Sequence, residues 1–532
     1  MVLEKLEAGK ISGCGPCVPP LTANDVKATT TIVGQMGPEP YVRAMAAHPD
    51  FDIIVGGRAY DPAPYVAFCA FHAFGRSHQP VVSLDALRLG GFVHMGKIME
   101  CGGLCAAPKS HSAEATMYQN GTFDIRPLQP GTICTPTSVA AHTMYEKTRP
   151  DILHGPGGYM DLSAARYEAL SDGTSVRVRG ATFQSFKAQG TSYTLKLEGA
   201  KLTGYRSMFM GSFADPILLS QLPSLLQRVK AYVAQQHTGV SEIWKLGFHV
   251  YGYDEVAKRA GAGSVLVIAE SCAETQATAT SVASTARVAC VHGPYKGQKA
   301  TSGNFGFGFG GKSEIECGPC AEFSIYHLMD LDDGDEEGSE VGEKSQALTE
   351  GNKKSLLQWD ARMIGRGARL QPPKLEWEVE ALPTLKQPVP ATLPPSSKVS
   401  VSEFPDTLGE AARYLRSKNA GPYEITFDVV FENAGVYNRV KASGRLSPEV
   451  IAQLFSLDVS DIVFCGFFDQ ALAFKATIPR MRDGKPTPSG GYMENDVHGS
   501  QLYLPLMGLK LDLKDESSVG DRSAKDFPVI SR

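Results

Sequence analysis

Residues 51–62 read FDIIVGGRAYDP, from Phe51 to Pro62. An apolar run stops at Gly56-Gly57, and a charged pair, Arg58 and Asp61, follows at once. A short apolar run closed by glycines predicts a buried strand entering a tight loop. Helical patterns flank it. The stretch PEPYVRAMAAH at 38–48 has Pro38 near its start and Val42, Met45 and Ala46 at helical spacing, and a second helical pattern covers 63–74. This alternation predicts a parallel sheet flanked by helices. In an open α/β sheet, ligands bind outside the carboxyl ends of the strands. Arg58 and Asp61 would then stand where a small anionic substrate is held. An Arg–Asp ion pair tying down a loop explains the same residues equally well.

After residue 160 the character changes. Alternation of apolar and polar residues at 176–180, 193–197 and 201–213 predicts half-buried strands. Asp215-Pro216 opens an amphipathic helical stretch carrying Leu222, Leu225, Leu226, Val229 and Val233, which Pro223 should kink or divide. Strands are expected at 243–251 and 264–270, and a helix at 274–290. Residues 330–343 hold eight Asp and Glu, a solvated loop, and prolines recur from 372 to 395. Beyond them a compact region predicts a helix at 408–415, a strand at 423–431, a helix beginning at Ser447-Pro448-Glu449 and a strand at 459–468. The fold class expected is α/β and α+β multidomain: a mixed sheet with flanking helices plus a small C-terminal α+β domain. The boundaries read as 1–330, a linker at 331–400, a domain at 401–514 and a flexible tail at 515–532.

The bulk composition narrows the function. With 532 residues, 42% apolar and 20% charged, the chain can build several cores. A net charge of −5, with no basic tract interleaved with aromatics, speaks against nucleic acid as a partner. No apolar run is long enough to span a bilayer, and the N-terminus has no signal-peptide core, so a cytoplasmic protein with no membrane partner is expected. The eleven dispersed cysteines read as reduced thiols. A homo-oligomer is left open.

Several motifs carry chemistry, each beside a plainer alternative. Gly306 to Ser313 fits the spacing GxxxxGK[ST], but a phosphate loop needs a strand before it and a helix after it. No apolar strand precedes it, and no nucleotide cofactor is expected. Cys14-Gly-Pro-Cys17 and Cys317-Gly-Pro-Cys320 match a redox pair, or together a four-thiolate zinc set; buried thiols are the plainer reading. In HMGKIMECGG at 94–103, His94 and Lys97 share a helix face, and Glu100 stands at the helix end before a Gly-Gly break, placed to act as acid or base; a surface helix with i,i+3 charges and a C-terminal glycine stop is the plainer reading. His142, Tyr145 and Glu146 fall at helical spacing, so His142 is either an acid–base partner or simply packed. Arg206 could grip a carboxylate or pair across strands with Glu198. Arg416, Lys418 and Asn419 precede Gly421-Pro422, a turn with exposed donors and a candidate anion cradle.

Six stretches in order resemble the acyclic terpene utilisation (AtuA-like) family: VGQMGPEP at 33–40, GGRAYDP at 56–62, HMGKIMECGG at 94–103, CTPTSVAAHTMYE at 134–146, LEGAKLTGYRS at 197–207 and SGNFGF at 302–307. Residues 408–510, with RSKNAGPYEITFDVVF at 416–431, resemble a small domain of unknown function that elsewhere accompanies AtuA-like proteins. The resemblance implies a catabolic enzyme, a lyase or hydratase acting on a branched or terpenoid carboxylic acid or its CoA thioester. In that role Asp61, Glu100, His94 and His142 would carry acid–base steps, and Arg58, Lys97, Arg206, Arg416, Lys418 and Asn419 would bind substrate. A divalent metal could stabilise the enolate-like charge, although no ligand set stands out. Family members carry a Gly- and Asp-rich segment ahead of the position of Met1, which this chain is expected to lack. The alternative is a non-catalytic binding or assembly protein, or an inactive fragment of such an enzyme.

Overall fold

The computed structural model describes residues 1–254, 256–261, 263–299, 301–306, 312–341, 356–362 and 405–511, with the backbone of 530–531. The proline-rich run at 372–395 and most of the expected tail lie outside the described residues. The strands that build the two principal sheets are β1 (Ile11–Gly13), β2 (Thr29–Gln35), β3 (Thr194–Phe213), β4 (Trp244–Tyr251), β5 (Val265–Ala273), β6 (Ile315–Asp330), β7 (Ala412–Asn419), β8 (Glu424–Phe431), β9 (Phe464–Phe468), β10 (Ala473–Pro479) and β11 (Ile530–Ser531). The helices used below are α1 (Glu39–Ala47), α2 (Ala63–Ala73), α3 (Ala86–Met99), α4 (Pro136–Thr143), α5 (Leu222–Gln236), α6 (Gln276–His292) and α7 (Pro448–Phe455).

The first sheet runs β1-β6-β3-β5-β4, with β2 also paired to β3, and every pair is antiparallel. One face is covered by α5 and α6. Leu222, Leu225, Leu226, Val229 and Val233 of α5 recur at helical spacing and meet Phe209, Phe213, Val265 and Val267 of the sheet. The expected break falls at Ser220–Gln221, with Pro223 inside the first turn of α5, where its missing N–H costs nothing. The second sheet runs β7-β8-β10-β9-β11, and all eight residues of β8 are buried. The architecture is therefore α/β and α+β with a separate C-terminal α+β region.

Between β2 and β3 the chain forms two smaller antiparallel sheets, of four strands within 113–179 and three within 152–185. Helix α3 packs on them. A Cβ at Gly91 would lie 1.9 Å from the Gly121 carbonyl oxygen, so this glycine permits the close approach of helix and turn.

The expected strand at 51–55 does not form. That segment has no ladder, and Ile53 and Val55 are 82% and 91% exposed. Its β-propensity has no neighbouring strand to pair with among the described residues. The chain instead crosses α1, where a Cβ on Gly56 would strike the Tyr41 hydroxyl, and joins the sheet only through the parallel bridge Met36–Ala59. The expected parallel sheet is correspondingly antiparallel. The predicted helix at 408–415 stops at Ala411 and continues as β7, which pairs along its length with β8 at the edge of the second sheet. After the glycine-rich loop, whose residues 307–311 lie outside the described residues, a strand (β6) begins at Ile315. The helix that a phosphate loop requires is not there.

Candidate functional site

A cavity of about 670 Å³ opens where the end of α3, the segment after α4, strands β3 and β6, and the β7–β8 turn converge. Arg58, Asp61, Lys97, Glu100, Lys418 and Asn419, read from the sequence as site residues, all line it. Different elements deliver them. Arg58 and Asp61 stand in the loop before α2. Asp85 caps α3 by accepting from the Arg88 N–H at 3.0 Å, and the far end of that helix presents Lys97 and Glu100. Lys418 and Asn419 close β7 from the C-terminal region.

Charge in the cavity is densely paired. Arg58 donates from Nε and Nη2 to Glu198 at 2.7 and 3.1 Å, while Asp61 lies at 3.5 Å. The Arg58–Asp61 pair was foreseen; the stronger partner, Glu198, was not. Lys196 Nζ lies 3.1 Å from Glu198 and 5.0 Å from the Tyr326 ring centre. Burial opposes the Glu198 charge, but Arg58 and Lys196 outweigh it and hold its pKa below the usual range. Lys97, almost fully buried, is paired with Glu100, and Lys418 lies 3.3 Å from Glu146.

Besides Lys196 and Glu198, three further cavity residues escaped the sequence reading. Lys147 is lowered to about 8, first by burial and then by the nearby charge of Lys97. Glu424, on β8, accepts from Thr148 Oγ1 at 2.7 Å, and burial raises its pKa to about 7. Tyr60 has a buried hydroxyl with no partner among the described residues. No spacing rule marks Lys147, which follows the end of α4 through Glu146 at φ 59°. Lys196 and Glu198 did carry a signal, since charges two apart share one face of a half-buried strand.

Four expected site residues lie elsewhere. His94 is fully buried, with Nε2 3.1 Å from Thr143 Oγ1 and 3.2 Å from the Tyr167 hydroxyl, and burial lowers its pKa to about 3. His142 faces the interior of α4's packing, and its pKa is likewise lowered to about 3, chiefly by burial. Both are packed neutral histidines. Arg206 pairs across strands with Glu270 at 3.4 Å and not with Glu198, which stands further back on the same strand, β3, out of its reach. Arg416 is no anion cradle: it lies in β7, bonded to Asp428 at 2.9 Å and to the Ala141 carbonyl at 2.9 Å.

Of the cysteine motifs, Cys14 touches the cavity, and burial pushes the Cys14 and Cys17 thiols up to about 12, the reverse of a redox thiolate. Cys317 and Cys320 lie within β6, and the hydrogen bond with Cys272 lowers the Cys320 thiol. Among the described residues no group of three or more His, Cys, Asp or Glu is arranged to hold a metal ion. Nor is any helix among them long and apolar enough to cross a membrane.

No curated protein and no solved structure matches the chain. Two family profiles do. A domain of unknown function, DUF4387, matches residues 408–510, which contain β7 to β10 and the Lys418–Glu424 wall of the cavity. The profile of the acyclic terpene utilisation family protein AtuA matches residues 19–305, which supply Arg58, Asp61, Lys97, Glu100 and Lys147. The chain thus belongs to the acyclic terpene utilisation family AtuA, with a DUF4387 domain following in the same polypeptide.

Proposed function

We propose that the cavity binds a branched or terpenoid carboxylic acid, or the acyl end of its CoA thioester, and that the protein is a catabolic lyase or hydratase. The observation that carries this reading is the convergence of Arg58, Asp61, Lys97, Glu100, Lys147 and Lys418 on one volume of about 670 Å³. That volume lies within the usual range of small-molecule sites.

Dehydration of a hydroxy acid and retro-aldol cleavage share three needs: a base for one proton, an acid for the leaving oxygen, and positive charge where the enolate-like oxygen develops. Asp61 and Glu100 are two of the carboxylates at the wall, and each stands beside a cation, Arg58 and Lys97 respectively. Glu424, protonated up to about pH 7, is suited to give a proton. Lys97 and Lys147 line the same space and supply positive charge there.

A thermal-shift series with branched hydroxy acids, their oxo analogues and acyl-CoA esters tests the reading. A ligand at a hundred times its Kd should add about 2.7 kcal/mol. The expected result is stabilisation by one ligand class, abolished in Arg58→Ala and Glu100→Gln. A cooperative melt that no ligand class moves would leave the non-catalytic assembly reading in its place.

A further inference from the structure

Lys147 differs from every other cation around the cavity. Arg58, Lys97, Lys196 and Lys418 each have a carboxylate partner in the cavity wall, and Arg149 is held by Asp151 at 2.8 Å. Among the described residues no carboxylate lies within ion-pair distance of Lys147. Its Nζ stands 5.6 Å from the centre of the Tyr60 ring, whose own hydroxyl is buried and unpartnered. An unpaired amine and an unpaired phenol thus share one wall.

The backbone holds this amine in place. Glu146 adopts a left-handed conformation, φ 59°, that a glutamate seldom takes. Thr148 donates to Glu424 at 2.7 Å, and its carbonyl accepts from Thr477 Oγ1 at 2.8 Å. The residues on both sides of Lys147 are therefore pinned, the second by the C-terminal region. Strain of this kind persists where the surroundings over-determine it, and it collects at functional positions.

A half-buried lysine with no carboxylate partner is the kind of amine that attacks carbonyl carbon. With its pKa lowered to about 8, roughly a tenth of Lys147 is neutral at pH 7. We propose that Lys147 forms an imine with its ligand, and that this ligand is a branched oxo acid: a ketone or aldehyde that also bears a carboxylate. This deepens the lyase reading and rests on it, because the imine supplies the electron sink that dehydration or retro-aldol cleavage needs.

The step balances. The Nζ lone pair bonds to the carbonyl carbon as the C=O π pair moves to oxygen. A proton shifts from nitrogen to that oxygen, giving a carbinolamine. A second proton, lent by the Glu424 carboxyl, lets the hydroxyl leave as water while the nitrogen lone pair forms the C=N bond, and the iminium nitrogen gives the imine when its remaining proton returns to Glu424. The net change is one amine plus one carbonyl giving one imine plus one water, with no oxidation. Glu424 and the Tyr60 hydroxyl are the wall groups able to pass these protons. The cations Arg58, Lys196 and Lys418 suit the carboxylate end.

The test uses the full chain with 4-methyl-2-oxopentanoate, reduced in place by sodium borohydride. Its hydroxy analogue, 2-hydroxy-4-methylpentanoate, is the control that cannot form an imine. The expected result is one reduced adduct by intact mass, mapped to Lys147 by peptide mass spectrometry, absent with the control and lost in Lys147→Arg. Mapping on the unmutated chain keeps the result independent of whether the variant folds. No adduct, or adducts spread over exposed lysines, overturns the proposal. If both acids raise the melting temperature without an adduct, the imine fails while the carboxylate site stands. If neither acid binds nor labels, both readings fall.

Discussion

Asp428 is buried in the middle of β8 with two cations on its oxygens, Lys475 at 2.7 Å and Arg416 at 2.9 Å. Burial works against its charge, but the two cations outweigh it and hold its pKa below the usual range. Lys475, fully buried, also donates to the Met144 carbonyl at 3.1 Å. Removing one member of such a set leaves a buried charge unpaired, which costs about 3–5 kcal/mol. Lys475→Met should therefore lower stability by about that amount, read from urea midpoints. The buried histidines give a second prediction. His94 and His142 take up a proton near pH 6.5 when unfolded, but only near pH 3 when folded. The unfolded chain binds more protons in that window, so stability is lost as pH falls from about 6.5 toward 3. His94→Gln should fall less steeply than the unmutated chain between pH 7.5 and 5; an equal fall would mean that His94 is not neutral in the fold.

Helix α3 shows how an element places chemistry. Gly90 and Gly91 have no room for a side chain: a Cβ at Gly90 would come within 2.4 Å of the Ala181 carbonyl oxygen, and one at Gly91 within 1.9 Å of that of Gly121. Both contacts are with backbone, which cannot swing aside. Gly91→Ala should destabilise by at least the 1–3 kcal/mol typical of overpacking. Because the shift would move the helix carrying Lys97 and Glu100, ligand-induced stabilisation should weaken as well; a variant with unchanged ligand response would show that the helix end is held from elsewhere. Helix α4 is fixed by sequence-local means, a capping box between Thr135 and Ser138 with Pro136 in its first turn. Its other end is capped from a distance, by Arg416 on Ala141 and Lys475 on Met144. Cations at a helix C-terminus complement its dipole.

At the scale of the whole molecule, the C-terminal region acts on the cavity through that same helix end. The chain leaves α4 at Thr143 and reaches Lys147 and Thr148 directly, and Thr148 is then bound by Glu424 and Thr477. Glu424 should consequently mark the pH response of the assembled molecule. Burial raises its pKa to about 7, against about 4.5 unfolded, and Glu39 is raised in the same way to about 8. The folded state binds more protons between these values, so these groups lower stability as pH rises from about 4.5 to 8. Each unit of pKa difference is worth about 1.36 kcal/mol. Glu424→Gln should flatten part of that decline between pH 5 and 8 in denaturant titrations. An unchanged slope would mean that Glu424 is solvated and ionised in the fold.

What the sequence determined by itself was local. Period and punctuation predicted α1, α2, α5, α6, α7 and the strands β3, β4, β5, β8 and β9, but not β2, β6 or β10, because apolar spacing and proline or serine at a helix start act over a few residues. The run of charged residues around Arg58, Lys97 and Glu100 was legible because glycines at element ends free side chains to reach a common space. Tertiary structure decided the rest. FDIIV reads as a strand, but a strand needs a neighbour, and none among the described residues offers a ladder at 51–55. His94 and His142 look like acid–base groups until burial removes their charge. Arg416 and Lys418 are two apart in sequence, so they fall on one face of β7, yet only their surroundings send Arg416 to Asp428 and Lys418 to the cavity. Lys147 bears no mark in the sequence, since its isolation from carboxylates and its lowered pKa come from groups brought together across the whole fold.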